Sequence, residues 1–67
     1  MKKKYIIKDV LHSSILSLNT YGSYSLVNVS DIYQESERIK FFNSKEEAEY
    51  YVLQNKMGAV TIVEIFL

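Results

Sequence analysis

Polar and apolar residues alternate from the start of the chain. In "KYIIKDV", Tyr5 and Ile7 point one way and Lys4 and Lys8 the other, with Ile6 and Val10 among them. A period of two is that of a β-strand. "SILSLNTYGSYSLVNV" reads as two short strands, Ile15–Leu18 and Tyr24–Val29, around Asn19-Thr20-Tyr21-Gly22. Asn and Gly tolerate the backbone of a tight reversal, so a type I turn ending in a left-handed Gly22 is expected. In "SDIYQESERIKFF", polar Gln34 to Glu37 form a connection, with a short helical turn over 31–36 as the alternative. Arg38 to Phe42 then predict a strand, with Ile39 and Phe41 opposite Arg38, Lys40 and Phe42.

The pattern changes at "NSKEEAEYYVLQNKMG". Ser44 suits a helix N-cap, and Glu47, three positions on, can reach back to the N-cap amide in a capping box. Glu46, Glu47 and Glu49 lie near the positive end of the helix dipole, and Lys56 near its negative end. Gly58 supplies a left-handed stop. The helix is expected over about 45–57. "AVTIVEIFL" is rich in β-branched residues and predicts a final strand, with Val60, Ile62, Glu64 and Phe66 on one face. Ala59, Thr61, Val63, Ile65 and Leu67 lie on the other. Apolar on both faces, it is expected at the centre of its sheet.

The helix carries two apolar stripes. At about 100° per residue, Ala48, Tyr51 and Val52 share one side, and small Ala48 makes that side the one to meet the sheet. Tyr50, Leu53 and Met57 share the other. Two explanations stand: ordinary exposed or loop-covered residues, or a contact patch for a second chain.

Composition bears on that choice. The chain has 67 residues, a single domain, and 48% of them are hydrophobic. A domain so small buries only about 60% of its unfolded surface. Cysteine is absent, so no disulfide supplements the core, and association is the expected remedy. Eight basic residues balance eight acidic ones, which gives no overall pull toward nucleic acid. The apolar run after "MKKK" is too short for a signal peptide, and none approaches the ~18 residues of a membrane span. A cytoplasmic protein is expected.

Chemistry is sparse. His12 adjoins Ser13 and Ser14, but no third group is evident to orient its ring. Placement at a helix start explains the three glutamates better than a metal does. Gly22 and Gly58 are isolated, so there is no phosphate loop. A non-enzymatic protein without cofactor or metal is expected. The alternative is nucleic-acid binding through Lys2, Lys3, Lys4, Tyr5 and Lys8, with Tyr21 and Tyr24 as stacking faces.

Three stretches carry a family resemblance: Tyr5 to Lys8 ("YIIK"), Phe42 to Ala48 ("F-x-S-x-E-E-A") and Ile62 to Ile65 ("I-V-E-I"). With these the chain resembles short uncharacterised proteins of bacteriophages and mobile elements. The resemblance implies a small antiparallel sheet with one helix, a phage-like setting and host cytoplasm as the location. Such proteins include inhibitors of host defence, anti-CRISPR proteins among them. No site residue is carried over.

The expectation is therefore an α+β fold of four to five mostly antiparallel strands, with helix 45–57 packed on one face. Were 38–42 parallel to 59–66, their crossover would be right-handed. The expected function is a protein-binding module that self-associates or occupies a host protein, with Tyr50, Leu53 and Met57 as its contact patch.

Overall fold

The computed structural model describes residues 2–28 and 38–66. The connection expected over 30–37, with its alternative helical turn, lies outside the described residues, as do Val29 and Leu67. Among those described are four strands and one helix: β1 (Lys3–Asp9), β2 (Ser14–Leu18), β3 (Tyr24–Asn28), α1 (Lys45–Gln54) and β4 (Val60–Phe66). The strands form one antiparallel sheet in the order β3-β2-β1-β4. The helix packs against β1 and β4. This is an α+β fold.

Side-chain polarity and local hydrogen bonds account for most of these elements. The β2–β3 reversal follows the Asn19–Gly22 reading. Gly22 N–H donates to the Asn19 carbonyl (3.1 Å), and Gly22 is left-handed at φ 82°. The Asn19 carboxamide tightens the turn by accepting from the Tyr21 and Ser23 amides at 2.9 and 3.1 Å. Asp9 does the same for the β1–β2 connection, where its Oδ1 accepts from Leu11 N–H (2.7 Å) and His12 N–H (3.1 Å). Side-chain acceptors of this kind replace backbone partners that a short loop cannot offer.

Ile7 and Leu16 of the sheet, Phe42 and Ala48 form the buried cluster. Tyr5, Leu26, Tyr51, Val52, Met57, Val60 and Ile62 pack against it. Ala48 lets the helix approach, and Phe42 meets Tyr51 edge-to-face with ring centroids 5.5 Å apart. The stripe Ala48–Tyr51–Val52 therefore faces the sheet, as expected from its small Ala48. Ile6 is also buried, but its neighbours on either side of the chain in β1 face the opposite way, so it belongs to the other face of the sheet. Across strands it shares that face with Val63, and Lys8 shares it with Ile15.

Several expectations differ from the structure. The segment 38–42 is not a strand of the sheet. It makes only isolated antiparallel bridges, Ile39 to Ser17 and Phe42 to Tyr5. β1 and β2 pair through Lys8 and Ile15, and away from that point this segment stands between them. Tyr5 and Phe42 exchange backbone bonds at 2.9 and 2.8 Å, while Lys40 N–H donates to Leu16 (3.0 Å). A straight segment could be antiparallel to only one of two mutually antiparallel strands, so the chain bends between its two bridges. The wedge drives Phe42 into the core, and both bridges being antiparallel removes the parallel crossover.

The helix ends at Gln54, not at 57. Its stop is not Gly58. Lys56 takes the left-handed conformation (φ 50°), and so does Ala59 (φ 53°), whereas Gly22 is the glycine with positive φ. Lys56 N–H donates to Leu53 (3.3 Å) and Met57 N–H to Val52 (3.0 Å). That pair of bonds is the Schellman motif, with Lys56 in the place glycine usually takes. At the other end Ser44 Oγ accepts from Glu47 N–H at 3.2 Å as expected. The Glu47 carboxylate, however, accepts from Asn43 N–H (3.2 Å) and not from the N-cap amide.

β4 is not at the centre of the sheet, although both its faces are apolar. It pairs with β1 over its whole length, Lys3 with Phe66 through Asp9 with Val60, and lies at the edge of the sheet.

Candidate protein interface

The helix crest is built by what the helix buries. With Ala48, Tyr51 and Val52 turned to the sheet, residues on the opposite side have nothing described above them. Tyr50 is 64% exposed and Leu53 76%. Met57 does not join them. The chain leaves helical geometry after Gln54, so the i+7 spacing from Tyr50 no longer sets its direction. The Schellman turn instead brings Met57 back against the core beside Val52. The expected three-residue patch is thus a pair.

A groove runs along each flank of this crest. Lys40, Phe42, Glu46, Tyr50, Tyr51 and Gln54 line one. The other is bounded by Lys45, Glu49, Val52 and Leu53 of the helix and by Val60, Thr61 and Ile62 of β4. Tyr50 and Leu53 stand on opposite walls. Further exposed apolar residues are Val10 and Leu11 in the β1–β2 connection and Phe66 at the end of β4. Phe66 was legible only as one residue of an apolar strand. Its exposure follows from the edge position, which periodicity does not report.

The basic residues at the start do not form one surface. Strand alternation divides them: Lys3 lies with Tyr5 on the helix side, 3.7 Å from the Glu64 carboxylate. Lys4 and Lys8 lie on the other side, where Lys4 Nζ donates to Asn43 Oδ1 and Lys8 Nζ to the Asp9 carbonyl (3.3 Å). Lys2 is exposed. Tyr5 packs on the core with its hydroxyl 3.4 Å from Glu64, so its ring face offers no free stacking platform. Tyr24 lies under Lys40 Nζ, 5.2 Å from the ring centroid, and Tyr21 is fully outside.

His12 is exposed in the β1–β2 connection, next to exposed Ser13. Its backbone bond to Asp9 shapes the turn. The two amides donating to Asp9, Leu11 first, hold its carboxyl below the ordinary carboxylate value against a smaller opposing effect of burial. Glu46 and Glu49 line opposite grooves, and among the described residues no three His, Cys, Asp or Glu side chains converge. No helix among them is long and apolar enough to cross a membrane. Compared with protein-family models, with curated proteins and with solved structures, the chain matches none.

Proposed function

We propose that this protein is a non-enzymatic protein-binding module that acts by occupying a surface of a partner protein, with Tyr50 and Leu53 as the centre of contact. The observation that carries this reading is their exposure on a helix whose other side is closely packed. A helix presenting a large aromatic and a large aliphatic side chain, with a mostly apolar groove on the Phe42–Tyr51 flank and a mixed one on the β4 flank, suits a helix-against-groove contact. The charged residues around the crest, Glu46, Glu49 and Lys45, supply a polar rim. The finer reading, an inhibitor of a host defence protein, is supported only by the resemblance at Tyr5–Lys8, Phe42–Ala48 and Ile62–Ile65.

Affinity capture from bacterial lysate, with the unaltered chain and the Tyr50→Asp/Leu53→Asp variant side by side, tests the proposal. A host protein held stoichiometrically by the first and lost by the second, with both giving the same far-ultraviolet circular dichroism, is the expected outcome. Equal retention by both, or no specific retention by either, rejects it.

A further inference from the structure

We infer that two copies of this chain join through the outer edge of β4, antiparallel about a two-fold axis at Val63, to make one continuous sheet. The inference does not rest on the helix crest and uses a different surface.

The first ground is the direction of the backbone groups. Tyr5 exchanges both its backbone bonds with Phe42, on the side of β1 away from β4. The pair Tyr5–Glu64 is therefore a non-hydrogen-bonded pair of the β1–β4 ladder, and such pairs alternate with bonded ones. Lys4–Ile65, Ile6–Val63 and Lys8–Thr61 are then the bonded pairs. Val10 N–H donating to the Ala59 carbonyl at 2.9 Å continues the same alternation. It follows that Val60, Ile62, Glu64 and Phe66 aim their N–H and C=O groups outward. Among the described residues nothing pairs with them.

The second ground is the absence of the usual protection. Exposed edges are normally blunted by proline, by lysine or by a bulge. β4 has no proline or lysine, and its pairing with β1 is unbroken over all seven residues. Its single charge, Glu64, is drawn back toward β1 by Lys3 and Tyr5, so it does not guard the edge.

Self-complementarity names the occupant. With the axis at Val63, Val60 meets Phe66 of the second copy and Ile62 meets Glu64, and all outward-facing residues are paired with no overhang. Phe66, 57% exposed alone, gains an apolar neighbour. Centring on Glu64 would set like charges face to face, which is unfavourable, and centring on Ile62 would leave Phe66 beyond the partner strand. The groove between helix and β4 is open on this side: it contains no β1 residue, and Thr61, which points to the far face, also lines it. Lys45 and Glu49 stand one helical turn apart on its wall. A two-fold axis runs the two helices antiparallel and sets lysine of one copy toward glutamate of the other. A strip seven residues long and two layers deep covers on the order of 450 Å² per copy. That falls in the class of small, reversible interfaces, so the dimer should dissociate on dilution through the micromolar range.

The chain has no cysteine, which makes a register test direct. In a non-hydrogen-bonded antiparallel pair the Cα atoms are about 4.5 Å apart, within disulfide range. Val63→Cys is expected to form a disulfide-linked dimer under mild oxidation, and Thr61→Cys, whose two copies would lie about 13 Å apart, is not. Sedimentation of the unaltered chain should show a monomer–dimer equilibrium. Glu64→Pro, which removes an outward N–H and the exposed carboxylate beside Lys3 and Tyr5 but no N–H bonded to β1, should weaken it on the order of 30-fold. A monomer at high micromolar concentration, equal cross-linking at 61 and 63, or a folded Glu64→Pro chain that dimerises unchanged would each overturn the inference. If the proline variant does not fold, the cysteine pair decides alone. Loss of the dimer with target capture intact separates this surface from the helix crest.

Discussion

Replacing Lys56 with glycine should stabilise this protein, although it removes a lysine from the end of a helix. Lys56 holds φ 50° at the helix stop, a conformation that costs an L-residue roughly 1–2 kcal/mol. Glycine relieves that cost. Against it stand the greater freedom of glycine in the unfolded chain, about 0.5 kcal/mol, and the lost attraction of a cation for the helix C-terminus, about 0.3 kcal/mol. The net gain is on the order of 0.7 kcal/mol, which for a domain of this size raises Tm by about 3–6 °C. Gly58→Ala is the counterpart. Gly58 is outside the left-handed region, and an added Cβ there meets no atom within 4 Å, so that variant should hold or slightly raise Tm. Thermal unfolding followed by circular dichroism, with urea midpoints as a check, reads both. If Gly58 were the helix stop, the signs would reverse. A fall in Tm for Gly58→Ala without a rise for Lys56→Gly would refute the Schellman assignment and, with it, the inward placement of Met57.

Three further outcomes follow from the packing and caps. Ser44→Ala removes the acceptor for Glu47 N–H and should cost about 1 kcal/mol, read as a lower urea midpoint at unchanged slope. Phe42→Ala empties the centre of the core and should cost about 3–5 kcal/mol. That is comparable with the whole stability expected of so short a chain, so loss of the cooperative transition is the expected result, while a Tm within a few degrees would contradict the wedge. The lowered pKa of Asp9 means that the folded state favours its carboxylate. The associated stability is fully present above the ordinary carboxylate range and is lost as pH falls through the depressed value. Asp9→Ala should flatten that acid limb in a Tm-against-pH series, and an unchanged limb would show that the turn does not depend on this charge.

Features set by neighbouring residues were legible in the sequence. The turn at Asn19–Gly22 and the cap at Ser44 depend on a side chain reaching a backbone group a few positions away. The inward stripe Ala48–Tyr51–Val52 follows from helical period together with the small size of Ala48. What sequence could not settle was lateral. Apolar residues on both faces of β4 report what lies above and below a strand, whereas position in a sheet depends on neighbours at its sides, a perpendicular direction. For the same reason Arg38–Phe42, with strand-like alternation, gave no sign that it would bend between two diverging strands and bridge each only once. At the helix end, a glycine two residues downstream drew the stop away from Lys56, whose role depends on a backbone angle rather than on residue type. The candidate surface divides along the same line: Tyr50 and Leu53 were legible from helical period, while Phe66 and the open edge were not.

Amide hydrogen exchange along β4, measured residue by residue at low and at high protein concentration, tests the central claim most directly. The account predicts that Thr61, Val63 and Ile65, bonded to β1, are protected at both concentrations. Ile62 and Glu64 should exchange freely in dilute solution and become protected as concentration rises. Protection of alternate residues that does not change with concentration, or equal protection all along the strand in dilute solution, would contradict it.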